Sequence, residues 1–188
     1  LDVLEQIPLA QKNSVPLLCS KCRTKQWRKI NMSNLITKHW NNIERRLPGV
    51  NCIAYPDGKI IMLKCYQLYD PNTKETELFC DPLCDTTIDS LEKHDSLYWT
   101  RVDEWTSINY QNGKIYGGDG AMGNEGFIAC TDADNNLIWG MFFENTNPIK
   151  SLKIKSKTLI AVNEHSELQI EINLDTLTDI KMMPLKNG

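Results

Sequence analysis

The chain has 188 residues, a hydrophobic share of 41% and a formal net charge of −3. That length suits one domain of ordinary size or one core domain with an appendage. No run of eighteen apolar residues is present, so the sequence offers no candidate membrane-spanning helix.

The charge is unevenly spread along the chain. Residues 1–49 contain nine Lys and Arg against three Asp and Glu, whereas residues 70–147 contain four against fifteen. Two interpretations stay open: ordinary solvated faces, or an acidic surface that steers a basic partner through complementary fields.

A helix is predicted in the N-terminal third. Ser33 is a suitable N-cap, Arg46 is the expected last residue, and Pro48-Gly49 follows as a stop signal. The residues at helical spacing that form the expected apolar face are Leu35, Ile36, His39, Trp40, Ile43 and Leu47.

From Val50 the hydrophobic period changes to two, which predicts strands. Asp57-Gly58 is a hairpin signal between strands at 50–55 and 60–69. A turn at residues 70–72 allows a third strand at 75–80. Residues 85–100 are expected to form a connector with a short helix near 88–93.

The second half predicts a series of short strands. Asn112-Gly113 is expected to join strands 105–110 and 114–116 as a hairpin turn, and residues 134–136 to join strands 126–131 and 137–143. In Leu137–Phe143 the odd positions are Leu, Trp, Met and Phe and the even positions are Ile, Gly and Phe, which predicts a strand buried on both faces. Further strands are expected at 149–154, 159–162, 168–172 and 180–182.

These elements predict an α+β fold, mostly an antiparallel β-sheet, curved or meandering, with an N-terminal helix. Residues 1–100 form an α/β N-terminal part with paired cysteines in this prediction, and residues 101–188 form a β-rich C-terminal part. Whether the two parts share one core stays open at this point.

Seven cysteines include two close pairs, Cys19 with Cys22 and Cys80 with Cys84. Four thiolates in two close pairs could complete a tetrahedral structural zinc site. One or two disulfides, or unliganded cysteines, are the alternatives. The remaining cysteines, Cys52, Cys65 and Cys130, are expected to be small buried hydrophobes.

Other motifs carry little chemistry. Gly118–Gly123 spells GxGxxG, but a strand follows it instead of the helix that a dinucleotide site requires. Residues 132–136 begin like a calcium loop but lack its later Gly and Glu. The three histidines are dispersed and lie in no nucleophile–base motif, so we expect no enzymatic activity. Basic residues 21–29 around Trp27 either bind nucleic acid or form a surface beside a core Trp.

One ordered set of residues resembles a known family. In chain order the residues of this set are Gly118, Gly120, Gly123, Gly126, Phe127, Trp139, Phe142, Phe143, Asn147 and Pro148. With them, roughly the last seventy residues resemble bacterial immunity proteins of contact-dependent growth inhibition and polymorphic toxin systems.

The resemblance implies a non-catalytic bacterial cytoplasmic protein that binds a cognate toxin domain, such as a nuclease, and blocks its active site or substrate groove without a required cofactor. Direct nucleic-acid or membrane binding is not expected. The expected contact residues are acids in predicted turns: Asp119, Glu125, Asp132, Asp134, Glu144, Glu164 and Glu167. Two rivals are a Zn-stabilised adaptor or nucleic-acid-binding module acting through residues 15–50, and a fragment of a β-propeller-like repeat protein.

Overall fold

Antiparallel β-structure dominates the part of the chain that the computed structural model describes, residues 35–41, 43–94 and 98–185. The helices and strands are α1 (Leu35–His39), β1 (Arg46–Pro48), β2 (Cys52–Ala54), β3 (Lys59–Asp70), β4 (Glu75–Thr87), α2 (Ile88–His94), β5 (Trp99–Arg101), β6 (Asp103–Tyr110), β7 (Gly113–Asp119), β8 (Gly126–Thr131), β9 (Leu137–Phe143), β10 (Ile149–Lys155), β11 (Thr158–Asn163), β12 (Leu168–Asn173) and β13 (Thr176–Pro184). Within the described ranges, no helix is both long enough and apolar enough to cross a membrane.

Eleven of these strands form one sheet in the order β10-β11-β12-β13-β4-β3-β2-β9-β8-β7-β6, and β1 pairs separately with β5. Each pair of neighbours is antiparallel. The sheet curls until its two edge strands, β10 and β6, lie against each other, so it is nearly closed. The prediction of a mostly antiparallel, curved sheet is confirmed. The continuous sheet differs from the separate four-stranded blades of a propeller.

The central strands are buried on both faces. The inner face of the curled sheet includes Ile128 and Met141 together with side chains from β10 to β13. On the outer face, Phe127 and Phe142 pack with side chains from α1, β1 and α2. The prediction that Leu137–Phe143 is buried on both faces is confirmed for most of the strand, although Ile138 is 43% exposed.

The predicted alternation within β9 is wrong at its first residue. Trp139, Met141 and Phe143 belong to the inner core, but Leu137 packs with the outer cluster. A bulge explains this reversal, because Cys130 pairs with Trp139 while the next residue, Thr131, pairs with Leu137. An extra residue in one strand inverts the facing of the side chains beyond it.

The helix predicted from Ser33 to Arg46 is wrong in its extent. Ser33 lies outside the described residues, and α1 ends at His39. The Asn41 side-chain oxygen accepts hydrogen bonds from the backbone amides of Ile43 and Glu44, both at 2.9 Å. Such a local turn competes with helical hydrogen bonding. The chain then enters β1, and Ile43, predicted on the apolar face, is 99% exposed.

The connector predicted at 85–100 is wrong at both ends, because β4 continues to Thr87 and β5 begins at Trp99. A hairpin turn also differs from its prediction. In the β6–β7 hairpin the two turn residues are Gln111 and Asn112, because Gly113 already pairs with Tyr110. Gln111 takes the left-handed conformation with φ of 51°. Gly113 serves a different purpose: a Cβ there would lie 1.9 Å from the carbonyl oxygen of Thr131. The short helix predicted near 88–93 is confirmed as α2.

Candidate functional site

Three loops meet at one end of the curled sheet. They are residues 120–125 between β7 and β8, residues 144–148 between β9 and β10, and residues 164–167 between β11 and β12. The Asn147 amide donates to the Asn124 carbonyl oxygen at 2.9 Å, and the Glu164 amide donates to the Pro148 carbonyl oxygen at 2.7 Å. We call these loops, with Asp119 at the end of β7 and Asn163 at the end of β11, the loop end.

Asn163 holds two of the loops together. Its side chain is 2% exposed. Its amide nitrogen donates to the Thr146 carbonyl oxygen at 3.1 Å, and its oxygen accepts from the backbone amides of Glu167 and Leu168 at 3.0 and 3.1 Å. One buried amide thus satisfies three backbone groups that the turns would otherwise leave unpaired.

Gly126 allows the loops to approach each other closely. A Cβ at this position would lie 2.4 Å from the Thr146 hydroxyl oxygen and 2.6 Å from the Asn147 carbonyl oxygen. Asn147 itself has a positive φ of 59°. These glycine and asparagine positions belong to the sequence motif, and the structure gives each a role in loop geometry.

The structure brings five of the seven predicted contact acids to the loop end and separates the other two. Four of the five are at least partly exposed, namely Asp119, Glu144, Glu164 and Glu167. The residues of the loop end include five carboxylates and no Lys or Arg, so their own charge is acidic. The nearby Lys150 on β10 donates to the Glu164 carbonyl oxygen at 2.5 Å. Because β8 begins at the loop end and finishes at Thr131, the turn with Asp132 and Asp134 lies at the opposite end of the sheet.

Glu125 and Glu144 have structural contacts. Glu125 is 3% exposed, and its carboxylate accepts the backbone amide of Met122 at 3.1 Å. The Glu144 amide donates to the side-chain oxygen of Asn51 at 3.0 Å, and the Asn51 side-chain amide donates to the Glu144 carboxylate. Glu125 therefore holds its own loop from inside, while Glu144 ties its loop to the start of β2.

Asp119 is a partly buried carboxylate at the loop end. Its Oδ1 atom is buried and has no hydrogen-bond partner among the described residues. Burial, the largest cause, and the like charges of Asp103 and Glu164 raise the pKa of Asp119 above its ordinary value, and they outweigh the hydrogen bonds from its own backbone and from the Trp105 side chain, which lower it. Positive charge brought to this place by another molecule would relieve both effects.

The opposite end contains a self-contained turn. The Asp132 carboxylate accepts the backbone amides of Asp134 and Asn136 at 2.9 and 2.8 Å, and the Asn136 side-chain amide at 2.9 Å. These hydrogen bonds, the one from the Asn136 side chain first, lower the pKa of Asp132. Asp134 is exposed beside it.

A projecting aromatic ribbon flanks the loop end. β2 pairs with β3 only at residues 60–62, whereas β3 and β4 remain paired as far as Asp70 and Glu75. We call residues 64–81 the distal ribbon. Tyr66, Leu68 and Tyr69 on it are 36%, 55% and 62% exposed.

A cavity of about 330 Å³ lies between the distal ribbon and the loop end. Its lining combines apolar side chains with amide and hydroxyl groups: Asn51, Cys65, Tyr66, Gln67, Leu78, Phe79, Asn145, Thr146, Leu168 and Met182.

The predicted zinc ligands are not assembled by the described structure. Cys19 and Cys22 lie outside the described residues. Cys80 is buried in the inner core, whereas Cys84 is exposed. A bulge at Leu83 separates them, since Leu63 pairs with Pro82 and Met62 pairs with Cys84. The bulge turns the two thiols to opposite faces of the sheet. Within the described ranges, no group of three or more His, Cys, Asp or Glu side chains is placed to hold a metal ion.

Two further sequence features are the basic segment and the predicted helix histidine. The basic residues 21–29 around Trp27 lie outside the described part of the chain. His39 stacks on Trp99 with ring centroids 3.8 Å apart, and burial lowers its pKa.

Comparison with protein-family models, with curated proteins and with solved structures finds no match to this chain.

Sequence reasoning predicts the two strands of the distal ribbon but missed the cysteine pair that faces across it. The predicted turn after Asp70 contained the signal, because Cys65 precedes Asp70 by as many residues as Cys80 follows Glu75. The two strands around that turn were predicted, and extending their register to Asp70 opposite Glu75 places the two cysteines opposite each other.

Proposed function

We propose that the protein is an immunity protein that binds and neutralises a cognate bacterial toxin domain. The resemblance of the C-terminal half to immunity proteins supports the proposal, as does the acidic loop end beside an exposed aromatic ribbon. The observation that carries it is Asp119, whose carboxylate is partly buried among like charges with one oxygen unpaired. A carboxylate in these surroundings favours a function in which a positively charged group of another molecule binds beside it.

The proposed mechanism is occlusion of the toxin's active site or substrate groove. A nuclease groove is basic because it must hold phosphates. The exposed acids Glu164 and Glu167, with Asp119, would attract the positive charges of that groove and so speed association. The exposed side chains of Tyr66 and Tyr69 would supply the aromatic contacts that commonly anchor protein interfaces.

Co-expression with the toxin encoded beside this gene tests the proposal. Wild-type protein should restore growth and should co-purify with the toxin domain. A Glu164→Gln/Glu167→Gln variant should protect less well, because it removes two charges from the loop end. Asp134→Asn is the matched control: it removes an exposed turn charge at the opposite end and should protect like wild type.

Absence of protection by wild-type protein would refute the proposed function. Loss of protection in the Asp134 variant, with full protection by the Glu164/Glu167 variant, would place the interface at the opposite end. The rival assignment, a zinc-stabilised adaptor or nucleic-acid-binding module acting through residues 15–50, predicts no protection by any of these proteins.

A further inference from the structure

Two free thiols face each other across the distal ribbon. Cys65 on β3 is directly opposite Cys80 on β4 in the strand register. Their Sγ atoms are 2.8 Å apart, and both cysteines are unbridged. Because neighbouring pairs on either side are also in register, this contact is fixed by the ribbon itself.

The two thiols differ in access. Cys65 is half-buried and lines the cavity beside the loop end, whereas Cys80 is 2% exposed and belongs to the inner core. The hydrogen bond with Cys65, and secondly burial, raise the pKa of Cys80. A small reagent that enters the cavity therefore meets Cys65 first, with Cys80 directly behind it.

We propose that Cys65 and Cys80 form a peroxide-reactive dithiol, with Cys65 as the attacking residue and Cys80 as the resolving residue. The cavity has room for a hydroperoxide, and Asn145 and Thr146 in its lining provide polar groups. A pair in which one accessible thiol is backed by a second thiol is the arrangement typical of reversible thiol oxidation.

The first step oxidises Cys65. Its thiolate, formed by loss of a proton to water, attacks one oxygen of hydrogen peroxide, and the O–O bond breaks. Cys65 becomes a sulfenic acid, and the other oxygen leaves as hydroxide, which takes a proton to form water.

The second step forms the disulfide. Cys80 sulfur attacks the Cys65 sulfenic sulfur, the S–O bond breaks, and the Cys80 proton joins the departing hydroxide as a second water. In total two thiols lose two electrons and two protons, and one peroxide becomes two waters. The product ties β3 to β4 at the base of the exposed ribbon segment 66–79, and thiol reductants reverse it.

The test uses the full chain, hydrogen peroxide as the probe, and alkylation of remaining thiols before digestion. Trypsin cleaves after Lys64, Lys74 and Lys93, so Cys65 and Cys80 fall in different peptides, 65–74 and 75–93. Oxidised wild type should yield these peptides joined, with a combined mass about 2 Da below that of the two reduced peptides. Fragmentation should place the link at Cys80, and dithiothreitol should separate the peptides.

Two variants distinguish this pair from nonspecific oxidation. Cys84→Ser, which removes the exposed thiol on the same strand, should form the same cross-link to the same extent. Cys80→Ser should give no cross-link and should retain a sulfenic acid at Cys65 that dimedone labels.

Dimedone labelling of Cys65 in the wild type without a 65–80 link would overturn the proposal, as would a link that disappears in Cys84→Ser. If Cys80→Ser fails to fold, the comparison of wild type with Cys84→Ser decides the matter alone, because neither protein changes the core.

Discussion

Replacing Asn163 by Ala should loosen the loop end and destabilise the fold. The change removes the donor to Thr146 and the acceptor of two backbone amides. The Glu167 amide is partly buried and can hydrogen-bond to water instead. The contacts with the Thr146 carbonyl and the Leu168 amide are buried, so those two groups would be left unpaired. Since a buried polar group left unpaired costs about 1–3 kcal/mol, the two buried groups predict a total loss of about 2–6 kcal/mol.

Urea unfolding measures this loss as a lower midpoint with an unchanged slope. Asn173→Ala is the matched control, because the Asn173 side chain also bridges a turn, accepting from the Asp175 amide at 3.0 Å, but at an exposed site. That variant should lose no more than about 0.5 kcal/mol. Equal, small losses in both variants would refute the role of Asn163 in holding the loops together. Hydrogen exchange should also accelerate in residues 144–148 and 164–168 of the Asn163 variant and not elsewhere.

Four other variants test the core, the loop end and the turn at the opposite end. Trp139→Ala should destabilise by about 3–5 kcal/mol in urea unfolding, while Ile138→Ala on the same strand costs much less, because Trp139 is buried in the inner core and Ile138 is 43% exposed. Asp119→Asn should be more stable than wild type at neutral pH; the wild-type pKa is raised above 3.8, so this advantage grows as pH rises through 3.8 toward the folded-state pKa and vanishes in acid. The effect of Asp132 has the opposite sign, because its folded-state pKa lies below 3.8. The ionised Asp132 therefore stabilises the fold above pH 3.8, and this stabilisation is lost as pH falls through the folded-state pKa. Asp132→Asn should lack that part of the loss of stability in acid. Thermal unfolding across pH 2–7 checks the predictions for both carboxylates. A difference in melting temperature from wild type that does not change with pH would contradict them.

Most of the strands could be predicted because each has a local signature. Alternation of Leu168, Ile170 and Ile172 with polar residues marks β12, and the structure buries those three on the inner face. The doubly buried β9 was predictable from its continuous apolar run. The position of β9 in the middle of the sheet, next to β2, depends on contacts between distant parts of the chain that no local pattern encodes.

The errors come from single residues that change local geometry. Asn41 ends α1 because its side-chain oxygen accepts hydrogen bonds from two backbone amides. This local turn outweighs the apolar spacing that predicts a longer helix. Bulges in β4 and β9 reverse the facing of Cys84 and Leu137, and hydrophobic periodicity does not show where a bulge falls.

The candidate site was partly predictable. Acids in turns were identifiable one by one, and Asp119, Glu164 and Glu167 lie together at the loop end. Strand order and direction determine two further features: Glu125 is buried, and Asp132 lies at the opposite end of the sheet from Glu144. Those features are properties of the assembled sheet.

The central claim is that the loop end binds a basic toxin domain. The most direct measurement is the binding of purified wild-type protein to the toxin domain encoded beside its gene, recorded as association and dissociation rates at several salt concentrations. The account predicts a Kd at or below about 1 nM, corresponding to roughly −12 kcal/mol. Association should slow as salt increases, and this dependence should weaken in Glu164→Gln/Glu167→Gln but not in Asp134→Asn. No binding at micromolar concentrations, or tight binding with the same salt dependence in all three proteins, would contradict it.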